Sequence, residues 1–176
     1  MKIDIKYNDE IDEFTPDLTL EGRLNRYIKE KCPIIYAFPP FTNTYLLGGG
    51  IRDLIYAKKP KDLDFVIMDS KNEGYIKEVL KKFNIQYRYN RFGGYKFTYN
   101  DIEIDLWATD DLYSSIEYNV DGLLFDVGKG ELLSLTFDDF IKNGLIKINP
   151  NNNIDNERVE KLKKFEKEFR MKNSNK

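Results

Sequence analysis

Three glycines followed at a short distance by two aspartates are the residues of this sequence whose types and spacing best suit chemistry. Gly48-Gly49-Gly50 follows the apolar run Tyr45-Leu46-Leu47, and Asp62 and Asp64 lie in Asp62-Leu63-Asp64-Phe65-Val66-Ile67. Glycines between a strand and a helix let backbone N–H groups approach an anion without interference from Cβ, and the helix N-terminus adds partial positive charge. This stretch therefore predicts a seat for phosphates. Residues i and i+2 of a strand point to one face, so Asp62 and Asp64 present two carboxylates together, an arrangement that invites divalent cations. Phosphoryl-transfer sites with two metal ions need oxygen ligands able to bridge them. A third carboxylate is expected from a neighbouring strand. Asp105, framed by Ile104 and Leu106, is the first candidate, and Glu103 on the same face is the reserve.

Each feature has a plainer reading. A triple glycine alone is usually a tight turn, an Asp-x-Asp alone a solvated strand end, and Arg52-Asp53 a local ion pair worth little. The order strand, glycines, helix, Asp-x-Asp strand and a later acid within an apolar strand is what favours a site. Composition narrows the chemistry further. The chain has 176 residues, no histidine and one cysteine, Cys32, which excludes His-based triads, His-containing zinc sites and an intramolecular disulfide. No apolar run approaches the roughly 20 residues that cross a bilayer, and Met1 to Asp12 form no signal-peptide core, so a cytoplasmic location is expected. The net charge of −2 argues against a surface that is basic throughout, while Asn156 to Lys176 forms a local basic patch with eight Lys/Arg against four Glu.

The elements that must hold these residues follow from periodicity. Ile3 and Ile5 suit a short edge strand at Lys2 to Tyr7. Leu20, Leu24 and Ile28 mark a helix over Glu21 to Lys31, closed by Pro33. Phe38-Pro39-Pro40-Phe41 reads as a loop, Thr44 to Leu47 as a buried strand, Ile51 to Ala57 as a helix and Leu63 to Ile67 as a strand. Ser70 to Glu73 is a capping-box sequence opening a helix with Ile76, Val79, Leu80 and Phe83 on its apolar face. Ile85 to Trp107 predicts a three-stranded meander. Leu123 to Phe125 reads as a strand, Gly128 to Gly130 as a turn, Thr136 to Asn143 as a helix and Leu145 to Ile148 as a strand. Asn151 to Asn153 links to a final helix with Val159, Leu162, Phe165 and Phe169 on one stripe, ending in a lysine-rich tail, Met171 to Lys176. The sum is one mixed-sheet α/β or α+β domain over residues 1–150, with a helical extension and basic tail over 151–176.

The stretch Gly48-Gly49-Gly50-Ile51-Arg52-Asp53, followed by Pro60-Lys61-Asp62-Leu63-Asp64, resembles the nucleotidyltransferases of the DNA polymerase β superfamily. The resemblance is greatest to the head domain of class II CCA-adding enzymes and bacterial poly(A) polymerases, which carry Gly-Gly-Ala-Val-Arg-Asp and then Pro-x-Asp-x-Asp. It implies a mixed β-sheet head domain flanked by helices, with a neck-like C-terminal helix. It further implies that Gly48 and Gly49 line a triphosphate, that Arg52 contacts it with Asp53 in support, and that Asp62 and Asp64 hold two Mg²⁺ ions. The segment Tyr118 to Asp126 falls where the family has Arg-Arg-Asp-Phe-Thr-x-Asn-Ala. Here Ser115, Ile116 and Glu117 take the Arg-Arg-Asp positions and Asp121 replaces the Asn. Asp155-Asn156-Glu157-Arg158 resembles the family's Glu-Asp-x-x-Arg, whose Asp and Arg read the base of the incoming nucleotide, although Ile154 stands where the family has Glu.

These features predict a minimal metal-dependent nucleotidyltransferase that moves a nucleoside monophosphate from an NTP (ATP, CTP or both) to a hydroxyl. An RNA 3′ end such as that of tRNA is the acceptor that the resemblance favours. The alternatives are transfer to a small molecule or protein, or a catalytically idle nucleotide- or RNA-binding module. A homo-oligomer through the C-terminal helix is a further expectation.

Overall fold

A computed structural model describes residues 19–38, 43–56, 58–90, 93–149 and 155–173. The expected strand at Lys2 to Tyr7, the Pro39-Pro40-Phe41 part of the loop, the Asn151 to Asn153 linker and the end of the tail lie outside the described residues.

Among the described residues, seven strands form one sheet: β1 (Thr44–Leu47), β2 (Asp62–Met68), β3 (Tyr87–Tyr89), β4 (Tyr95–Tyr99), β5 (Ile102–Thr109), β6 (Leu123–Asp126) and β7 (Glu131–Ser134). Their spatial order is β3-β4-β5-β2-β1-β6-β7. Only the central β2–β5 pair is parallel; the other neighbours are antiparallel. Five α-helices of the described residues accompany the sheet: α1 (Leu20–Lys31), α2 (Gly49–Ile55), α3 (Glu73–Lys82), α4 (Phe137–Asn143) and α5 (Asn156–Asn173). None of the described helices is long and apolar enough to cross a membrane.

The alternation along β2 and β5 divides the sheet into two different faces. Leu63, Phe65 and Ile67 of β2 and Ile102, Ile104 and Leu106 of β5 are buried in the main core with Leu24 and Ile28 of α1, Ile51 and Ile55 of α2 and Ile76 and Leu80 of α3. Asp62, Asp64, Glu103 and Asp105 point the opposite way, as period two requires. That opposite face also carries a smaller apolar cluster, Leu47, Val66 and Leu124 under Tyr45, Trp107, Leu112 and Leu133. The acids therefore stand at one end of a sheet surface whose other end is apolar and aromatic.

Helix α1 is capped by the Thr19 hydroxyl, which accepts from Gly22 N–H at 3.1 Å, and ends before Pro33. Helix α5 docks on the main core through Leu162, Phe165 and Phe169. Phe165 and Phe169 contact the rings of Phe140 at 6.1 and 5.5 Å, and Phe165 contacts Tyr56 at 5.5 Å.

Four local expectations change. Leu145 to Ile148 forms no strand: the bonds from Ile148 N–H to the Glu117 carbonyl and from Asn119 N–H to the Ile146 carbonyl make only an isolated bridge of Lys147 to Tyr118, and the Asn119 side chain takes the Ile146 N–H. Glu131 to Ser134 is a strand that the sequence reading left out. The helix after β2 is led by a 3₁₀ turn, Ser70–Asn72, whose cap is Asp69 accepting from Lys71 N–H; Ser70 instead donates from both its N–H and its hydroxyl to Asp110. Phe83 lies past the end of α3 and is exposed.

Candidate active site

The β1–α2 connection sets the first wall. Gly48 precedes α2 with φ +75°, a conformation that side-chain-bearing residues rarely adopt. A Cβ built there would meet Asp64 Oδ2 at 3.0 Å, and one on Gly50 would come within 2.7 Å of Leu63 Cδ2. The glycines thus let α2 approach β2 closely and bring the Asp64 carboxylate against the backbone of Gly48. Arg52, one turn into α2, turns its guanidinium back beside Gly49, where a Cβ would lie 3.7 Å from Nη2.

The register across the sheet sets the second wall. Leu47 of β1 faces Asp64 of β2, Asp64 faces Asp105 of β5, Asp105 faces Lys96 of β4, and Lys96 faces Arg88 of β3. One step along, Asp62 faces Glu103. Asp62, Glu103 and Asp105 each offer a carboxylate oxygen, and these oxygens lie within 4.8 Å of one another. Asp64 stands on the same face, next to Asp105 in register, with its carboxylate turned toward Gly48. Glu103, the reserve in the sequence reading, thus enters the cluster alongside Asp105.

The cluster has its own counter-ion. Lys96 Nζ lies 2.5 Å from Glu103 Oε1 and 3.0 Å from Asp105 Oδ2, and Asn90 Nδ2 donates to Asp105 Oδ1 at 3.1 Å. Burial works against the ammonium, but the hydrogen bonds to Glu103 and Asp105 outweigh it and raise its pKa. Asp64 has no such hydrogen-bonded ammonium among the described residues. Burial first, then the nearby charges of Asp62 and Asp105, push its carboxyl from an ordinary 3.8 up to about 7, with Arg158 and Arg52 opposing. Asp53 is also raised, chiefly by burial, with Arg52 opposing.

A divalent cation fits this donor set. Three convergent carboxylate oxygens are what a hard cation prefers, and a cation there would also offset the burial and the Asp62 and Asp105 charges that disfavour ionised Asp64.

The third wall comes from the chain's second half. Arg52 Nη1 donates to Asp121 Oδ1 at 2.6 Å, and Arg158 Nη2 donates to Asp121 Oδ2 at 2.9 Å. Arg158 Nε also lies 3.4 Å from Glu117 Oε2. Asp155 caps α5 by accepting the Arg158 N–H at 3.1 Å, so its carboxylate engages the backbone of Arg158 while the Arg158 guanidinium turns to Asp121 and Glu117. Sequence reasoning noted Asp121 and Glu117 only as departures from a motif and passed over Lys96. The alternation of Tyr95-Lys96-Phe97 is a signal that puts Lys96 on the face opposite Tyr95, but nothing local says that this face meets the acids.

No family model matches the sequence, and no curated protein matches it. Solved structures do share its fold. The complex of a CCA-adding enzyme with ATP superposes with a TM-score of 0.53 at 18% identity, covering 83% of this chain and 38% of its own. A tRNA-processing enzyme in an apo form superposes with a TM-score of 0.51 at 16% identity, covering 72% and 44%. The chain thus spans less than half the length of the structures it resembles. With its seven-stranded mixed sheet and flanking helices, the chain has an α+β fold that it shares with these two structures.

Proposed function

We propose that this chain is a metal-dependent nucleotidyltransferase that transfers a nucleoside monophosphate from an NTP, ATP or CTP, to a hydroxyl, with an RNA 3′ end as the acceptor. The observation that carries this reading is the convergence of the Asp62, Glu103 and Asp105 carboxylate oxygens beside Asp64 and Gly48. In the reaction the acceptor oxygen bonds to the α-phosphorus, the bond from that phosphorus to the bridging oxygen breaks, pyrophosphate departs and the hydroxyl proton passes to solvent. Mg²⁺, when bound, would shield the developing charge on the phosphoryl oxygens and lower the pKa of the acceptor hydroxyl. Asp62, Asp64 and Asp105 are the residues to hold it, in a two-ion site as the resemblance implies, with Glu103 as an additional oxygen donor.

In this reading Gly48, Gly49 and Arg52 hold the triphosphate, and Arg158, with Asp155 anchoring its helix, addresses the base. Residues 1–150 act as the catalytic head, and 151–176 act as a neck-like helix and tail whose outward lysines Lys161, Lys163, Lys164 and Lys167 meet RNA phosphates. The ATP complex of the structural neighbour and the tRNA processing named for the other support these choices of donor and acceptor.

A second reading is an idle nucleotide-binding module. It is favoured by Lys96 engaging two of the acids and by Asp121 engaging both arginines. Incubation with labelled NTPs, Mg²⁺ and a pool of small RNAs separates the two. The enzyme reading expects label on RNA that is lost in Asp62→Ala and Asp105→Asn; NTP binding with no transfer to RNA, protein or small acceptors would establish the module instead.

A further inference from the structure

Asp121 is almost entirely buried, with 3% of its side chain exposed, in the 3₁₀ turn Asn119–Gly122. Among the described residues its hydrogen-bond partners are N–H donors: Arg52 Nη1 on one oxygen, and Arg158 Nη2 and the Tyr118 backbone N–H, at 3.2 Å, on the other. Burial opposes its charge, but Arg52 and then Arg158 hold its pKa below the usual carboxylate range. Two arginines from opposite halves of the chain are thereby bound to one carboxylate. Each guanidinium is a rigid planar fork of five donors, so holding one terminal nitrogen on Asp121 while a ring lies beside the group restricts the directions in which the remaining edges face.

Both forks stand close to the site. Arg52 Nη2 lies beside Gly49, and both guanidinium charges act on Asp64. Arg52 is further held by the Phe165 ring, 5.8 Å from its Cζ, and Arg158 by the Tyr118 ring at 6.0 Å. The same carboxylate therefore sets the place of a residue on α2, in the phosphate seat, and of a residue on α5, at the outer rim.

We propose that Asp121 is a positioning residue for the incoming nucleotide: it holds Arg52 and Arg158 side by side, so that triphosphate affinity and base choice are set together. This rests on the nucleotidyltransferase reading above. The charges make the two properties respond in opposite directions. The trio of two arginines and one carboxylate carries a net charge of +1; losing the carboxylate raises local positive charge while it frees both forks to turn.

The test measures Mg²⁺-dependent binding of the four NTPs, and separately of inorganic tripolyphosphate, to wild type, Asp121→Asn and Arg158→Gln. The wild type is expected to prefer one NTP. Asp121→Asn is expected to bind tripolyphosphate several-fold more tightly and to lose its preference among bases, with a native circular dichroism spectrum. A variant that keeps the preference, or that weakens tripolyphosphate and all NTPs alike, overturns the proposal. Should Asp121→Asn fail to fold, Arg158→Gln decides, because the Arg158 side chain is 43% exposed and its loss leaves Asp121 to neutralise Arg52. Tripolyphosphate binding then weakens several-fold, and unchanged tripolyphosphate binding overturns the proposal. A wild type that binds no NTP overturns the nucleotide reading itself; one that binds NTPs without preference overturns the positioning role alone.

Discussion

Replacing Asp64 by Asn should stabilise the metal-free protein, and by more at alkaline than at acidic pH. The folded carboxyl titrates at about 7 against an ordinary 3.8, so between these values the folded state binds more protons than the unfolded state. Stability from this group is fully present below about pH 4 and is lost as pH rises through about 7. A displacement of about three pH units corresponds to ~4 kcal/mol once Asp64 is ionised. Reorganisation of Asp62 and entry of water reduce that, so a gain of at least ~2 kcal/mol is the expectation near pH 8, against less than ~1 kcal/mol near pH 4.5. Asn is close to isosteric and carries no charge, which leaves the contact with Gly48 intact. The assay is urea denaturation of wild type and Asp64→Asn in excess chelator at the two pH values. Repeating it in millimolar Mg²⁺ should narrow the gap, because an ion bound by the native wild type stabilises it by mass action. A difference that does not change with pH, or an Asn variant less stable than wild type in chelator near pH 8, would refute the argument that burial and neighbouring acids strain this carboxyl.

Lys96→Met should raise the affinity of the nucleotide-free protein for Mn²⁺ by about tenfold or more, read by electron paramagnetic resonance, because it removes a positive charge bonded to Glu103 and Asp105. Equal or weaker Mn²⁺ binding would mean that the lysine organises the acids rather than competing for them. Phe165→Ala should cost about 3 kcal/mol in urea denaturation, since the ring is buried between Tyr56, Phe140 and Phe169; a cost below about 1 kcal/mol would show that α5 is not part of the main core.

Much of this organisation is legible in sequence because it is periodic. Leu20, Leu24 and Ile28 announce α1, and the Asp62-Leu63-Asp64-Phe65 alternation announces a strand with acids on one side and core on the other. Glu131 to Ser134, four residues after a glycine turn, carry too little pattern to announce a strand, and it is pairing with β6 that makes them one. Leu145 to Ile148 has the pattern without the partner: a fully satisfied buried Asn119, which donates to Asp139 and the Gly144 carbonyl and accepts from Ile146, replaces the ladder. What local pattern could not convey is which face meets which. The association of Lys96 with Asp105 depends on β4–β5 register, and that of Asp121 with Arg52 and Arg158 on the docking of α5, so both were visible only once distant segments were assembled.

The parallel pairing of β2 with β5 ties the fate of the acids to that of the hydrophobic interior. Sliding β5 by a single residue would turn Glu103 and Asp105 toward the helices and expose Ile104 and Leu106 to water. Misaligned copies of the sheet are thus eliminated by oil–water sorting, long before any ligand could test them. Accurate placement of the strands that carry the reactive groups is inherited from the interior.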